Sequence, residues 1–269
     1  MKNAIFTCSD ENCSAFLTEH WLPSLKNVNL SNIDVCVVDY GLTNKQREVL
    51  QNHGVKLFAG KKDAHVAVAR MRDMARILEK SNYDQVLTCD GGDIIFQGDI
   101  SSMFSQNTEK FRAVCEYCSP PFERALSAIF FDGRTAEKVR QQLRGKQMIN
   151  AGLILGPSHK IKELYDYGYA IANKYLADQI AVNYFMYKSG FVELPETYNY
   201  VIPTAKTGCF VKKGVFYFNQ GDKIKVVHNV GSKSVKIIKN FGYGGSRNQI
   251  NFTTYYFYRT TNKLINNFR

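Results

Sequence analysis

Four apolar runs punctuate the first third of the chain, at 3–8 (NAIFTC), 33–39 (IDVCVVD), 55–59 (VKLFA) and 83–89 (YDQVLTC). Their Ile, Val, Leu and Phe show little strict alternation, which is the pattern of strands covered on both faces. Between them, 11–27, 42–54 and 63–82 carry apolar residues at helical spacing. In the third segment Val68, Met71, Ile77 and Leu78 fall broadly on one face, and Asp63 is placed to cap its start. Strands joined through helices pair in parallel with right-handed crossovers. The predicted architecture is a doubly wound, mostly parallel α/β sheet, which binds ligands outside the carboxyl ends of its strands. The second half is less regular. A strand is predicted over 147–156, one or two helices over 157–190, and short strands over 191–194, 208–219 and 224–228. No repeat, low-complexity tract or Pro/Gly-rich linker interrupts the chain. The expectation is one domain over 1–240 with a C-terminal appendage over 241–269.

Composition changes this picture little. The chain has 269 residues, 45% hydrophobic and 22% charged, enough to bury a sizeable core. No window approaches the ~18–20 continuous apolar residues of a membrane span, and residues 1–10 lack a signal-peptide pattern. A cytoplasmic, unprocessed protein is expected. The seven cysteines are scattered and odd in number. Cys115 and Cys118 have metal-like spacing, but no second pair completes a tetrahedral zinc site, so reduced thiols are expected.

Charge adds more. The net +11 is confined to residues 201–269, which hold 12 Lys+Arg and one acid, Asp222, whereas the first 200 residues balance 23 basic against 23 acidic. Such a patch suits a polyanion: nucleotide phosphates, anionic lipid or nucleic acid. The stretch 250–268 interleaves Tyr and Phe with Arg and Lys, as a segment lying on a membrane face would.

Candidate chemistry gathers at the predicted strand ends, where Asp10, Asp39 and the pair Asp90 and Asp93 fall. The pair sits in LTCDGGDIIFQGDIS (87–101), with Gly91 and Gly92 between the acids. Two carboxylates a short turn apart can face one oxygen-preferring cation, Mg²⁺ or Mn²⁺. They can equally form a solvated acidic turn.

Three further stretches follow in order: MINAGLILG with Asn150 and Gly152, ADQIAVNYF with Asp178, Gln179 and Asn183, and VVHNVGSK with His228, Gly231 and Lys233. Together with the acidic segment and LPETYNY (194–200), this set resembles the GT-A glycosyltransferases of family 8, the group of glycogenin and the lipopolysaccharide galactosyl- and glucosyltransferases. The resemblance is weak over 1–65 and fades beyond about Lys239. It implies that Asp90, Asp93 and His228 hold Mn²⁺ (or Mg²⁺) against the diphosphate of a nucleotide-sugar donor. Lys233 and Gly231 would meet that diphosphate. Asn150, Gly152, Asp178 and Gln179 would line the sugar pocket, with Asn150, Asp178 and Gln179 as the catalytic set, and Arg70 would lie near base and sugar. Phe6, Thr7 and Asp10, taken to follow the first strand, would face the nucleobase. The implied reaction is hexosyl transfer from a UDP-sugar, with retention, to a glycan or lipid-linked glycan. Two departures stand out. The acids are spaced Asp-x-x-Asp where family 8 has Asp-x-Asp, and the usual Lys-Pro-Trp after the histidine is replaced by GSKSVK.

Two rivals are weighed beside this reading. A nucleotide-sugar nucleotidyltransferase would carry a glycine-rich phosphate loop after the first strand, where this chain reads TCSDENCSAF. A polyanion-binding module could stack bases on the aromatic tail, but the acidic rim argues against a continuous nucleic-acid track.

Overall fold

A computed structural model of the chain describes residues 1–117, 133–172, 177–230 and 237–267. The central sheet has seven strands: β1 (Asn3–Ser9), β2 (Ile33–Asp39), β3 (Lys56–Ala59), β4 (Gln85–Cys89), β6 (Phe111–Glu116), β7 (Met148–Pro157) and β8 (Phe191–Glu193), in the order β3-β2-β1-β4-β7-β6-β8. β1 to β4 pair in parallel as predicted. β7 runs antiparallel to both β4 and β6, and β8 returns parallel to β6. Six of the seven strands therefore share one direction.

Apolar residues of the central strands alternate between two cores. Ala4, Phe6, Cys36, Val38 and Val86 face a cluster with Met71, Met74, Leu164 and Val182. Ile5, Val35, Val37 and Leu87 face a second cluster with Leu17, Trp21, Leu25 and Leu50. Helices Val66–Glu79, Ser158–Ile171 and Ala177–Ser189 cover the first face. The second is covered by helix Asn44–Asn52 and by a continuous helical segment whose middle, Leu17–Trp21, is π-helical. This two-sided burial explains the continuous apolar runs. Asp63 does not cap helix Val66–Glu79. His65 is the cap, accepting from the Ala67 amide at 3.2 Å, while Asp63 is taken by Arg72 and Lys61.

A second, smaller sheet decides the site. β5 (Ile94–Phe96), which sequence patterning missed, pairs antiparallel with β12 (Val226–His228), and β12 pairs in parallel with β9 (Tyr200–Val201). His228 stands opposite Ile94 in this ladder. Gln97 fastens the region from behind, exchanging bonds with the Phe216 amide and carbonyl and donating to Ile224 O.

The C-terminal segment packs on the same body. β13 (Ile238–Lys239) and β14 (Gln249–Ile250) form a hairpin that a boundary at 240/241 would cut. Phe241 stacks on Phe16 and meets Phe216. Helix Phe252–Asn267 is anchored by buried Tyr255, whose hydroxyl accepts from the Cys209 amide at 3.2 Å, and by Arg259, which donates to the carbonyls of Ala205, Lys206 and Thr207. Among the described residues no helix is long and apolar enough to cross a membrane.

Candidate active site

The acidic pair occupies the turn between β4 and β5. Asp90 is held by its backbone, its amide donating to Gly152 O at 2.9 Å. The two glycines between the acids are required by space. A Cβ on Gly91 would stand 2.6 Å from Thr7 Oγ1, and one on Gly92 would stand 2.8 Å from Cys13 Sγ. No real side chain tolerates such approaches, so the turn is pressed flat against the end of β1 and the following segment. Neither glycine has a positive φ.

The β5–β12 ladder carries His228 to this turn. Its Nε2 lies 3.3 Å from Asp93 Oδ1 and 3.8 Å from Asp90 Oδ2. One ligand atom from each of the three residues falls within 4.8 Å of the others. Two of those atoms, Asp93 Oδ1 and His228 Nε2, are buried without a hydrogen-bond partner. Buried polar atoms are rarely left so, and a carboxylate oxygen facing an imidazole nitrogen, neither hydrogen-bonded, could hold a cation between them. Two oxygens and one imidazole nitrogen suit Mn²⁺, or Mg²⁺ with a poorer nitrogen match. Burial works against protonation of His228, but the charges of Asp93 and Asp90 outweigh it and push the pKa up. Gly152 completes the cradle: a Cβ there would lie 2.3 Å from His228 Cε1 and 2.7 Å from Asp90 Oδ2.

Arg70 ties the acidic cluster to Asp178. Its Nη1 donates to Asp90 Oδ1 at 2.5 Å and its Nη2 lies 3.6 Å from Asp178 Oδ2. It does not pair with Asp63 or Asp73, which Arg72 takes. Asp178 lies in the first turn of helix Ala177–Ser189 and is 7% exposed. Burial pushes its pKa up, against the opposing pull of Arg70.

Other predicted site residues stand differently. Phe6 and Thr7 lie inside β1, not after it, and have no exposed surface. Phe6 packs against Phe58 and Tyr83, so it belongs to the core and presents no face to a base. Asp10 does follow the strand, and accepts from Asn12 and Lys62. Asn150 is 3% exposed with both amide atoms engaged, the nitrogen by Glu116 and the oxygen by Asn199 and the Gly152 amide. Gln179 is committed to β7: it accepts from the Ala151 amide and donates to Ile149 O, beside Asn183, which bonds the Ile149 amide and carbonyl. Both side chains are thus tied first to the protein's own backbone and side chains. Gly231, Lys233 and Cys118 lie outside the described residues. Sequence reasoning gave no role to Asn199 and Glu116, although both side chains are in the polar layer beneath His228. The cluster is separate from a groove of about 670 Å³ along the edge of β3, lined by Lys56, Phe58, Arg76 and Tyr83.

The fold is that of the GT-A glycosyltransferases. Solved structures sharing it include the apo bifunctional glycosyltransferase WbbM (TM-score 0.58, 16% identity, 85% of this chain and 45% of that one). An active-site mutant of LgtC matches with TM-score 0.54 and 15% identity, over 85% of this chain and 87% of that one. The apo-form glycosyltransferase GlyE of Streptococcus pneumoniae TIGR4 matches with TM-score 0.56 and 17% identity, over 99% of this chain and 62% of that one. This chain thus spans less than half of WbbM. No protein-family model matches it, and no curated protein matches its sequence.

Proposed function

We propose that the protein is a metal-dependent glycosyltransferase that moves a hexose from a nucleotide-sugar donor, a UDP-sugar, to a glycan or lipid-linked glycan in cell-surface polysaccharide synthesis. The observation that carries this reading is the Asp90–Asp93–His228 cluster, with two orphaned ligand atoms, beside strand ends of a GT-A sheet. Asp90, Asp93 and His228 hold Mn²⁺ or Mg²⁺. When bound, the cation neutralises the charge that grows on the departing nucleoside diphosphate. Gly231 and Lys233 bind the same diphosphate, and Asp10 lies toward the base; these three roles and retention at the anomeric carbon follow from the family 8 resemblance. Arg70 fixes Asp90 and Asp178 relative to each other, and Asp178 is the carboxylate assigned to the donor sugar. Asn150 and Gln179 act by shaping β7 beneath that sugar.

The site is read as cytoplasmic, at the membrane face. Helix Phe252–Asn267 exposes Phe252, Tyr256, Phe257 and Leu264 while burying Tyr255. Rings at headgroup level with nearby cations suit an anionic lipid surface.

A screen of UDP-, GDP- and CMP-sugars for hydrolysis, with and without Mn²⁺, tests the central reading. Metal-dependent turnover of a UDP-hexose is expected. Turnover unaffected by EDTA, or none with any donor while Mn²⁺ binds nowhere near the cluster, would sink it.

A further inference from the structure

Beneath His228 runs a buried chain of side chains whose direction can be worked out. Gly152 N–H donates to Asn150 Oδ1 at 3.1 Å. A backbone N–H is only a donor, so the Asn150 oxygen must face it. The Asn150 nitrogen therefore points the other way and donates to Glu116 Oε1 at 2.7 Å. The same Asn150 oxygen accepts from Asn199 Nδ2 at 2.9 Å. That fixes Asn199 in turn, leaving its oxygen to face His228 Nδ1 at 3.2 Å. An amide oxygen only accepts, so Nδ1 must carry the proton. In the neutral ring the lone pair is then on Nε2, the atom aimed at Asp93 and Asp90.

Resting on the cation-site reading above, we propose that Asn199, oriented by Asn150 and Glu116, is the positioning residue that holds His228 in its Nδ1–H tautomer with Nε2 ready to ligate a divalent cation. Metal-bound histidines commonly donate their second ring N–H to a carboxylate or carbonyl. Here the acceptor is an amide, and the buried carboxylate is set two links further back. Asn199 and Asn150 cannot titrate. The orientation of the chain survives even protonation of Glu116, whose pKa burial pushes up, because the Gly152 amide alone suffices to orient Asn150. In the neutral ring the Nε2 lone pair is thus ordered before any cation arrives, and a cation displaces only the proton that Asp93 and Asp90 favour on that same atom. Asn199 and His228 are essentially without solvent exposure, so water does not compete for either atom.

The test begins with the wild-type chain free of metal, at a pH raised until the His228 ring is neutral. Long-range ¹H–¹⁵N correlation of ¹⁵N-histidine protein distinguishes the two neutral tautomers, and the His228 signals are those lost in His228→Gln. The Nδ1–H pattern is expected; an Nε2–H pattern overturns the proposal without recourse to any Asn199 variant. Calorimetry with Mn²⁺ alone provides the second readout. Asn199→Ala should bind Mn²⁺ about 10- to 100-fold more weakly, whereas Asn199→Asp, which keeps an acceptor for Nδ1–H, should stay within a few-fold of wild type and retain the tautomer. Asn199→Ala binding Mn²⁺ as tightly as wild type also overturns it. Asp90→Ala and Asp93→Ala separate the two readings. If they abolish Mn²⁺ binding and Asn199→Ala does not, only the positioning role fails. If they too bind normally, the cation site itself fails.

Discussion

Asp39 and the pair Asp90 and Asp93 occupy comparable places in the fold, at or just past the carboxyl ends of the two parallel strands that flank β1, yet their surroundings differ. Asp39 accepts from the Gly41 and Leu42 amides at 2.8 and 2.7 Å and pairs with Arg47 at 2.6 Å. Both oxygens have local donors, and those donors lie within eight residues. Asp90, which also pairs with Arg70, and Asp93 instead meet a histidine brought from far along the chain by a separate sheet, and Asp93 Oδ1 is left without a hydrogen-bond partner. Position on the rim gives a carboxylate the opportunity to bind a ligand. Whether the chain has already satisfied it decides whether that opportunity is used.

Alanine in place of Asp90 or Asp93 should give the largest effect. Both acids lie on a turn outside the packed cores, so the fold should persist. Loss of a ligand to the cation should cost on the order of 100-fold or more in metal-dependent donor turnover, with Mn²⁺ binding weakened in parallel. Measured turnover within a few-fold of wild type would remove the contrast with Asp39.

A somewhat smaller effect is expected from Gly152→Ala, which leaves all three ligands in place and disturbs only their spacing. The added methyl would meet His228 and Asp90 well inside contact distance, and His228 is enclosed by Asn199 and β5. Overpacking of this kind costs typically about 1–3 kcal/mol of stability, and displacement of the ring should lower Mn²⁺ affinity by on the order of 10-fold. Thermal unfolding and calorimetry check the two parts. Unchanged Mn²⁺ affinity would show that the cluster is loose enough to accommodate a methyl group and is not a preformed site.

Much of this was legible in the sequence, for physical reasons that also mark where it stopped. β1 to β4 are buried on both faces, so each is an apolar run, and the acids that end them stand out. β6 reads FRAVCE. Its Arg112 is fully buried, donating to the carbonyls of Met103, Gln106 and Lys110 and to Gln85, a pattern that hydropathy cannot anticipate. β5 has only three residues, too few for any periodicity. The reversed direction of β7 is likewise not written in its hydrophobicity. Asp90, Asp93 and His228 could be named together only because an order of motifs resembling family 8 joined them; the ladder that joins them in space is between β5 and β12. Asn150 and Gln179 were expected to line a sugar pocket because the family 8 resemblance implied it, and amides suit hydroxyls. The same chemistry suits backbone, and the register of β6 on β7 shifts between Ala113 and Cys115, near the Ile149–Ala151 stretch that Gln179 and Asn183 hold.

The smallest effect sharpens the comparison from the other side. Asp39→Asn keeps an oxygen for the Gly41 and Leu42 amides but puts an amide donor in place of the oxygen that accepts from Arg47, whose side chain is 40% exposed and can turn away. A partly exposed pair of this kind is worth about 1 kcal/mol or less, so a small loss of stability and no change in Mn²⁺ affinity are expected. The pH dependence gives the sign. Burial works to raise the Asp39 pKa, but the Arg47 pair and the two amides outweigh it and hold it below the ordinary carboxylate range. A carboxyl depressed in the folded state stabilises fully above its unfolded pKa of about 4 and loses that contribution as pH falls through the folded value. The stability difference between wild type and Asp39→Asn, measured by urea unfolding, should therefore be constant from neutral pH down to about pH 5 and shrink below about pH 4. A difference that grows on acidification would contradict the assigned pairing. A loss of metal-dependent UDP binding in Asp39→Asn comparable to that in Asp93→Ala would do more, because it would place Asp39 among the ligand-binding acids and erase the distinction between satisfied and unsatisfied carboxylates on this rim.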